Sequence, residues 1–146
     1  MPRASRRPID KNLDHELREN FASLISSLQN SYEIEGFLND FLTKEEKIML
    51  GKRLMLHLML ENNYPTSNIE TSLKVSRETV RVHKNIWQNA GSIYKEIISK
   101  ISKKERTRQL FNKIESMLKP LDLAMRARSD MRARAKLVSG DFSEES

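Results

Sequence analysis

The sequence predicts an all-α protein, and three observations carry that reading. Apolar residues recur every three or four positions along most of the chain. Segments of the S/T-x-x-E type stand where such stretches begin. Only four Gly and four Pro punctuate 146 residues, too few for the many tight turns of an all-β chain.

The elements follow in order. From Asn12 to Asn30, Leu13, Leu17, Phe21, Leu24, Ile25 and Leu28 fall on one helical face. Ile34, Phe37, Leu38, Phe41 and Leu42 repeat the pattern in a second helix, which tolerates Gly36 at a cost of about 1 kcal/mol relative to Ala. Thr43 to Glu46 is a capping box that opens a third helix, running to about Glu61. Its apolar residues include Ile48, Leu50, Leu54, Met55, Leu58 and Met59, with Met49, Leu56 and Leu60 on a second face. A helix apolar over most of its circumference has to be surrounded, either by a partner subunit or by neighbouring helices of its own chain.

Asn62 to Pro65 ends that helix. Pro65 suits the first turn of the next, with Thr66 or Ser67 as alternative caps and Glu70 completing a box from Ser67. This short helix holds Ile69 and Leu73. After Lys74 and Val75, Ser76 is a good N-cap for a helix through Val80, Val82, Ile86 and Trp87, closed by Asn89 to Gly91. Ile93, Tyr94, Ile97, Ile98 and Ile101 form a further stripe. A box from Ser102 to Glu105 opens another helix with Leu110, Phe111, Ile114, Met117 and Leu118, which Pro120 is expected to break or kink. An Arg/Ala-rich run from Arg126 to Lys136 is expected to be helical or conditionally so, and Val138 to Ser146 to be disordered. The layout is therefore a basic arm (1–11), a helical domain (12–91), a basic helical extension (92–136) and a tail (137–146).

The pair of helices at 65–89 has the makings of a helix-turn-helix. Two short helices meet through a tight turn, and the second presents polar side chains from its N-terminal half to base edges in a major groove. Ile69, Leu73, Val75, Val80 and Ile86 are the expected lock between them. Arg77, Glu78, Thr79 and Arg81 are then the candidate base readers, because Arg pairs bidentately with guanine and Thr contacts base edges or a thymine methyl. Thr66, Ser67, Ser76 and Lys84 are the candidate phosphate contacts. Asn85 could contact adenine or phosphate. Lys74 stands where such turns most often carry Gly.

The order and spacing of Phe41 to Glu46, then Leu50-Gly51-Lys52-Arg53, then Ile69 and Leu73, resemble the tryptophan-repressor family, from about Phe21 to Trp87. That resemblance implies a tryptophan-repressor-like helical bundle: an intertwined homodimer whose reading helices address double-stranded DNA half-sites about one turn apart. In that family a tryptophan corepressor lies between two arginines. Arg53 matches the first, but Val82 stands at the second and His83 at a neighbouring glycine. Valine lacks a guanidinium and His83 fills the space of the ligand, so no tryptophan corepressor is expected.

Charge and absent chemistry agree with a regulator. The net charge is +6, and the excess lies in the arm, in Lys74–Lys84 and in the extension, while acids outnumber bases between Ser31 and Ser72. Between Lys103 and Lys136 eleven bases face four acids. Such a run could track phosphate, and the alternative function is an RNA- or protein-interaction module binding through this extension. There is no cysteine, so disulfides and thiolate sites are excluded. His15, His57 and His83 lie on separate segments with no HExxH pattern, and His57, inside an apolar helix, reads as a buried, satisfied histidine. No phosphate-cradling loop or nucleophile elbow is present, so no enzyme, cofactor or metal is expected. No run approaches the roughly 18 apolar residues of a membrane span, and the N-terminus leads into no apolar signal core, so a cytoplasmic protein is expected.

Overall fold

A computed structural model describes residues 7–126 and Val138. The first six residues of the arm, the Arg/Ala-rich run beyond Arg126 and nearly all of the tail lie outside the described residues. Seven helices and no strand are found among them: α1 (Lys11–Ser27), α2 (Ser31–Phe41), α3 (Lys44–Glu61), α4 (Thr66–Leu73), α5 (Arg77–Gln88), α6 (Ser92–Ser102) and α7 (Glu105–Arg126). The chain divides into two compact units, one up to Gly51 and one from Lys52 onward.

In the first unit each helix is opened by a side chain. Asp10 accepts the N–H groups of Asn12 (3.1 Å) and Leu13 (3.4 Å) ahead of α1. Asn30 accepts from Glu33 N–H (3.0 Å), and the Glu33 carboxylate accepts from Gln29 N–H (2.9 Å), so two otherwise orphaned donors are satisfied at the start of α2. α1 stops at Ser27, short of the expected Asn30, because Leu28 is already extended (φ −73°, ψ 121°) and Asn30 serves the next helix. The capping box at α3 forms as expected: Glu46 N–H donates to Thr43 Oγ1 (3.2 Å) and Thr43 N–H to Glu46 Oε2 (2.9 Å). Phe41 stacks on Phe37 (4.9 Å between centroids) and on Phe21 (5.7 Å), joining α2 to α1. No side chain of α1 or α2 is fully buried; Leu17 and Phe21 remain about half exposed.

The second unit holds the core. Leu56, Leu58 and Met59 of α3, Ile69 of α4, Val80 of α5, Ile98 of α6, and Phe111 and Ile114 of α7 are buried together. Met59, Ile69 and Val80 have no exposed surface at all. Three expectations are corrected here. The Ser67–Glu70 box does not form; Pro65 takes the cap position, with no side-chain cap bond, and its carbonyl accepts from Asn68 and Ile69. The Ser102–Glu105 box does not form either, since α6 runs through Ser102 and its hydroxyl donates to the Ser99 carbonyl (2.8 Å). Of the break or kink expected at Pro120, the break is overturned: α7 continues to Arg126 with one backbone donor fewer.

Two helix ends close with a residue in the left-handed region. Asn63 (φ 58°) ends α3, with Asn63 N–H on Leu60 C=O (3.1 Å) and Tyr64 N–H on Met59 C=O (3.0 Å). Lys74 (φ 51°, ψ 53°) ends α4, with Val75 N–H reaching back to Glu70 C=O (3.3 Å). Asparagine tolerates this conformation, but lysine does not favour it, because its Cβ approaches the following carbonyl. Lys74→Gly should therefore stabilise the protein by about 0.5–1 kcal/mol, read as a higher denaturation midpoint with an unchanged slope; a lower midpoint would contradict the strain at this turn.

Candidate nucleic-acid interface

α4, the turn at 74–76 and α5 form the helix-turn-helix. Ile69 and Val80 lock it, with Leu73 and Val75 packed against the same cluster. Ile86 is not part of the lock: it is 48% exposed, and Trp87 takes the inward place beside it. Ser76 is the N-cap of α5, accepting from Thr79 N–H (3.1 Å). Its hydroxyl also lies 2.9 Å from Thr79 Oγ1.

The fold brings the predicted reading residues only partly together. Arg77, Glu78 and Arg81 are exposed on one arc of α5, with Lys84 at its margin and Asn85 between them. Thr79 is half-buried at the edge of the lock, its hydroxyl engaged with Ser76. Arg81 and Glu78 are tied to each other, with Arg81 Nε donating to Glu78 Oε2 (2.9 Å) and Nη2 to Oε1. That hydrogen bond holds the Glu78 carboxyl below its usual range and raises Arg81 further. The pair is fully in solvent, where such bridges exchange readily. Thr66 and Ser67 form the first turn of α4, Ser67 exposed and Thr66 half-buried.

Behind α5 lies a polar chain that the spacing of residues did not reveal. His57 of α3 is buried (2% exposed) and bonded at both ring nitrogens, Nδ1 to the Tyr94 hydroxyl and Nε2 to His83 Nδ1 (3.1 Å). Trp87 and Tyr94 pack edge-on at 6.0 Å and enclose His57. Burial foremost, then His83 and the Arg53 guanidinium, lowers the His57 imidazole to about 4. Burial and Arg53 lower His83 as well, and burial raises Tyr94. Two neutral imidazoles and a protonated phenol pass one hydrogen bond to the next along this chain. Only the folded chain joins residues 26 and 37 positions apart, so no local motif announces them. Among the described residues no group of three or more His, Cys, Asp or Glu could hold a metal ion.

A cleft of about 810 Å3 opens between the α3–α4 turn, α4, the end of α6 and α7. Tyr64 stands in its wall, stacked on Phe111 (5.5 Å, 15°) and donating to Glu115 Oε1 (2.8 Å). Burial and the neighbouring carboxylate push its phenol up to about 12.

An all-α chain with a locked, capped and outward-facing helix pair is a helix-turn-helix protein. The family model described as Trp repressor protein matches residues 16–102, more than half of the chain. The chain belongs to that family, one of DNA-binding regulators and not of enzymes. No curated protein and no solved structure matches it. The matched segment ends before α7 begins. No described helix is long and apolar enough to cross a membrane.

Because folding lowers the pKa of His57 from 6.5 to about 4, its neutral form is favoured in the native state. The associated stability is complete above pH 6.5 and is lost as the pH falls toward 4. The denaturation midpoint should decline over that interval, and His57→Phe should decline less steeply. Parallel declines would place the acid sensitivity elsewhere.

Proposed function

We propose that this protein is a sequence-specific transcriptional regulator that binds double-stranded DNA as a homodimer. The exposed arc of Arg77, Glu78 and Arg81 on a capped helix, backed by the buried Ile69–Val80 contact, is the observation that carries this reading. Arg77 and Arg81 suit guanine edges, Glu78 suits a cytosine amino group, and Thr79 suits a thymine methyl at the edge of the arc. Because Arg81 and Glu78 begin as a pair, they read adjacent bases as a unit: the guanidinium leaves the carboxylate when a guanine offers two acceptors.

Thr66, Ser67, Ser76 and Lys84 are the phosphate contacts of this reading. Ser76 keeps a proton for a phosphate oxygen when Thr79 supplies the hydrogen between their hydroxyls. A tryptophan corepressor has no place in it, since Val82 offers no cation and His83 is bonded to His57. The exposed apolar stripes support the dimer. Leu13, Leu17, Phe21, Leu24 and Ile25 of α1, with Ile48, Leu50 and Leu54 of α3, are each more than two-fifths exposed in the single chain. A second copy is the occupant that the family relationship favours.

Selection from random duplexes should return a pseudo-palindrome with half-sites about one turn apart. On that site Arg81→Ala should cost about 1–3 kcal/mol and relax preference at one base position; unchanged affinity would remove Arg81 from the reading face. Leu17→Arg should shift sedimentation from dimer to monomer and abolish tight binding to the paired half-sites. A variant still dimeric would exclude the α1 stripe from the interface.

A further inference from the structure

We propose that the cleft between α4 and α7 seats a phosphodiester of the bound duplex, so that α7 adds a backbone contact outside the helix-turn-helix itself. This rests on the DNA-binding reading above. α7 is held as a wall of the cleft: Phe111 and Ile114 sit in the core with Ile69, and Tyr64 stacks on Phe111 while donating to Glu115. Its orientation against α4 is therefore set by the core, and its cations are presented in a fixed place.

Arg108, Asn112, Glu115 and Lys119 recur at intervals of four, three and four, one stripe along α7, and all four line the cleft. Ser67 and Asn68 line it from the α4 side. The charged groups of the lining are two cations and one carboxylate, and that carboxylate accepts the Tyr64 hydroxyl. Amide and hydroxyl donors flanking a net positive charge suit a singly charged phosphodiester. Arg108 is exposed and bonded to Glu105 only at 3.4 Å, a weak surface pair that a phosphate displaces. Ser67 belongs at once to this cleft and to the first turn of α4, the helix that packs on α5, so the cleft adjoins the phosphate contacts proposed for the helix-turn-helix.

Truncation does not test this, because Thr107, Phe111 and Ile114 are buried. The test is the full chain carrying Arg108→Gln and Lys119→Gln, against a second variant carrying Arg106→Gln and Lys113→Gln, which removes the same charge from α7 outside the cleft. For the selected duplex, log affinity against log salt should become shallower by about 1.8 in the first variant, about 0.9 for the one phosphate lost from each of the dimer's two clefts. Base preferences should stay as in wild type, and the second variant should keep the wild-type slope. An unchanged slope in the first variant, or an equal reduction in both, overturns the cleft assignment while leaving the helix-turn-helix reading standing. An unchanged slope together with melting raised by inorganic phosphate assigns the cleft to a free anion and overturns the proposal too. Wild-type protein that binds no duplex removes the DNA reading and this inference together.

Discussion

Complete burial of Met59, Ile69 and Val80 is the constraint on which the helix-turn-helix depends. These three side chains come from three successive helices, α3, α4 and α5, and meet in one cluster. Shortening any of them would leave a cavity in a small core, where losses of about 2–5 kcal/mol are usual. With that contact in place the turn has little freedom. Lys74 is held in a left-handed conformation that it would not choose alone, which is how overdetermined packing sustains local strain. Ser76 then caps α5, and the orientation of Arg77, Glu78 and Arg81 follows from the cap and the lock together.

The histidine chain extends the same constraint to the far side of α5. A buried polar side chain is tolerated when each of its groups finds a partner, and no buried side-chain nitrogen or oxygen among the described residues lacks one. His57 joins α3 to α5 through His83 and to α6 through Tyr94, with Trp87 against its ring. A pocket kept open for an aromatic ligand would leave these walls without contacts until the ligand arrived. Here side chains of the chain itself make them, and α5 is tied to α3 through His83 and His57. The arrangement favours an uncharged His57, since burial, His83 and the Arg53 guanidinium all lower its pKa.

Much of this was legible where the determinant is local. Thr43 and Glu46 form their box, Ser76 caps α5, and Ile69 and Val80 lock the turn, because four-residue motifs and helical periodicity are short-range properties. The failures share the opposite cause. Ser67–Glu70 and Ser102–Glu105 have the right letters, yet Pro65 already supplies the cap position of α4, and α6 runs on through Ser102. Ile86 fits the apolar period of α5, but the ring of Trp87, one position on, occupies the inward side against His57 and Tyr94. The exposed stripes of α1 and α2 are periodic without being buried, and periodicity reports only that a face is to be covered, not by which chain.

α7 shows how far a family boundary and a folding boundary can differ. The family match ends at residue 102, whereas the buried cluster continues through Thr107, Phe111 and Ile114. A helix attached only as a solubilising tail would bury nothing, and its charges would be placed at random relative to the reading helix. Instead Phe111 and Ile114 share a core with Ile69, and Tyr64, at the entry to α4, is clasped by Phe111 and Glu115. The first helix of the helix-turn-helix is thus braced from two sides, by α5 through the turn and by α7 from beyond the family segment. The start of α4 is anchored in α7 as well as in α5, which makes α7 a structural part of the helix-turn-helix unit even before its cations are considered.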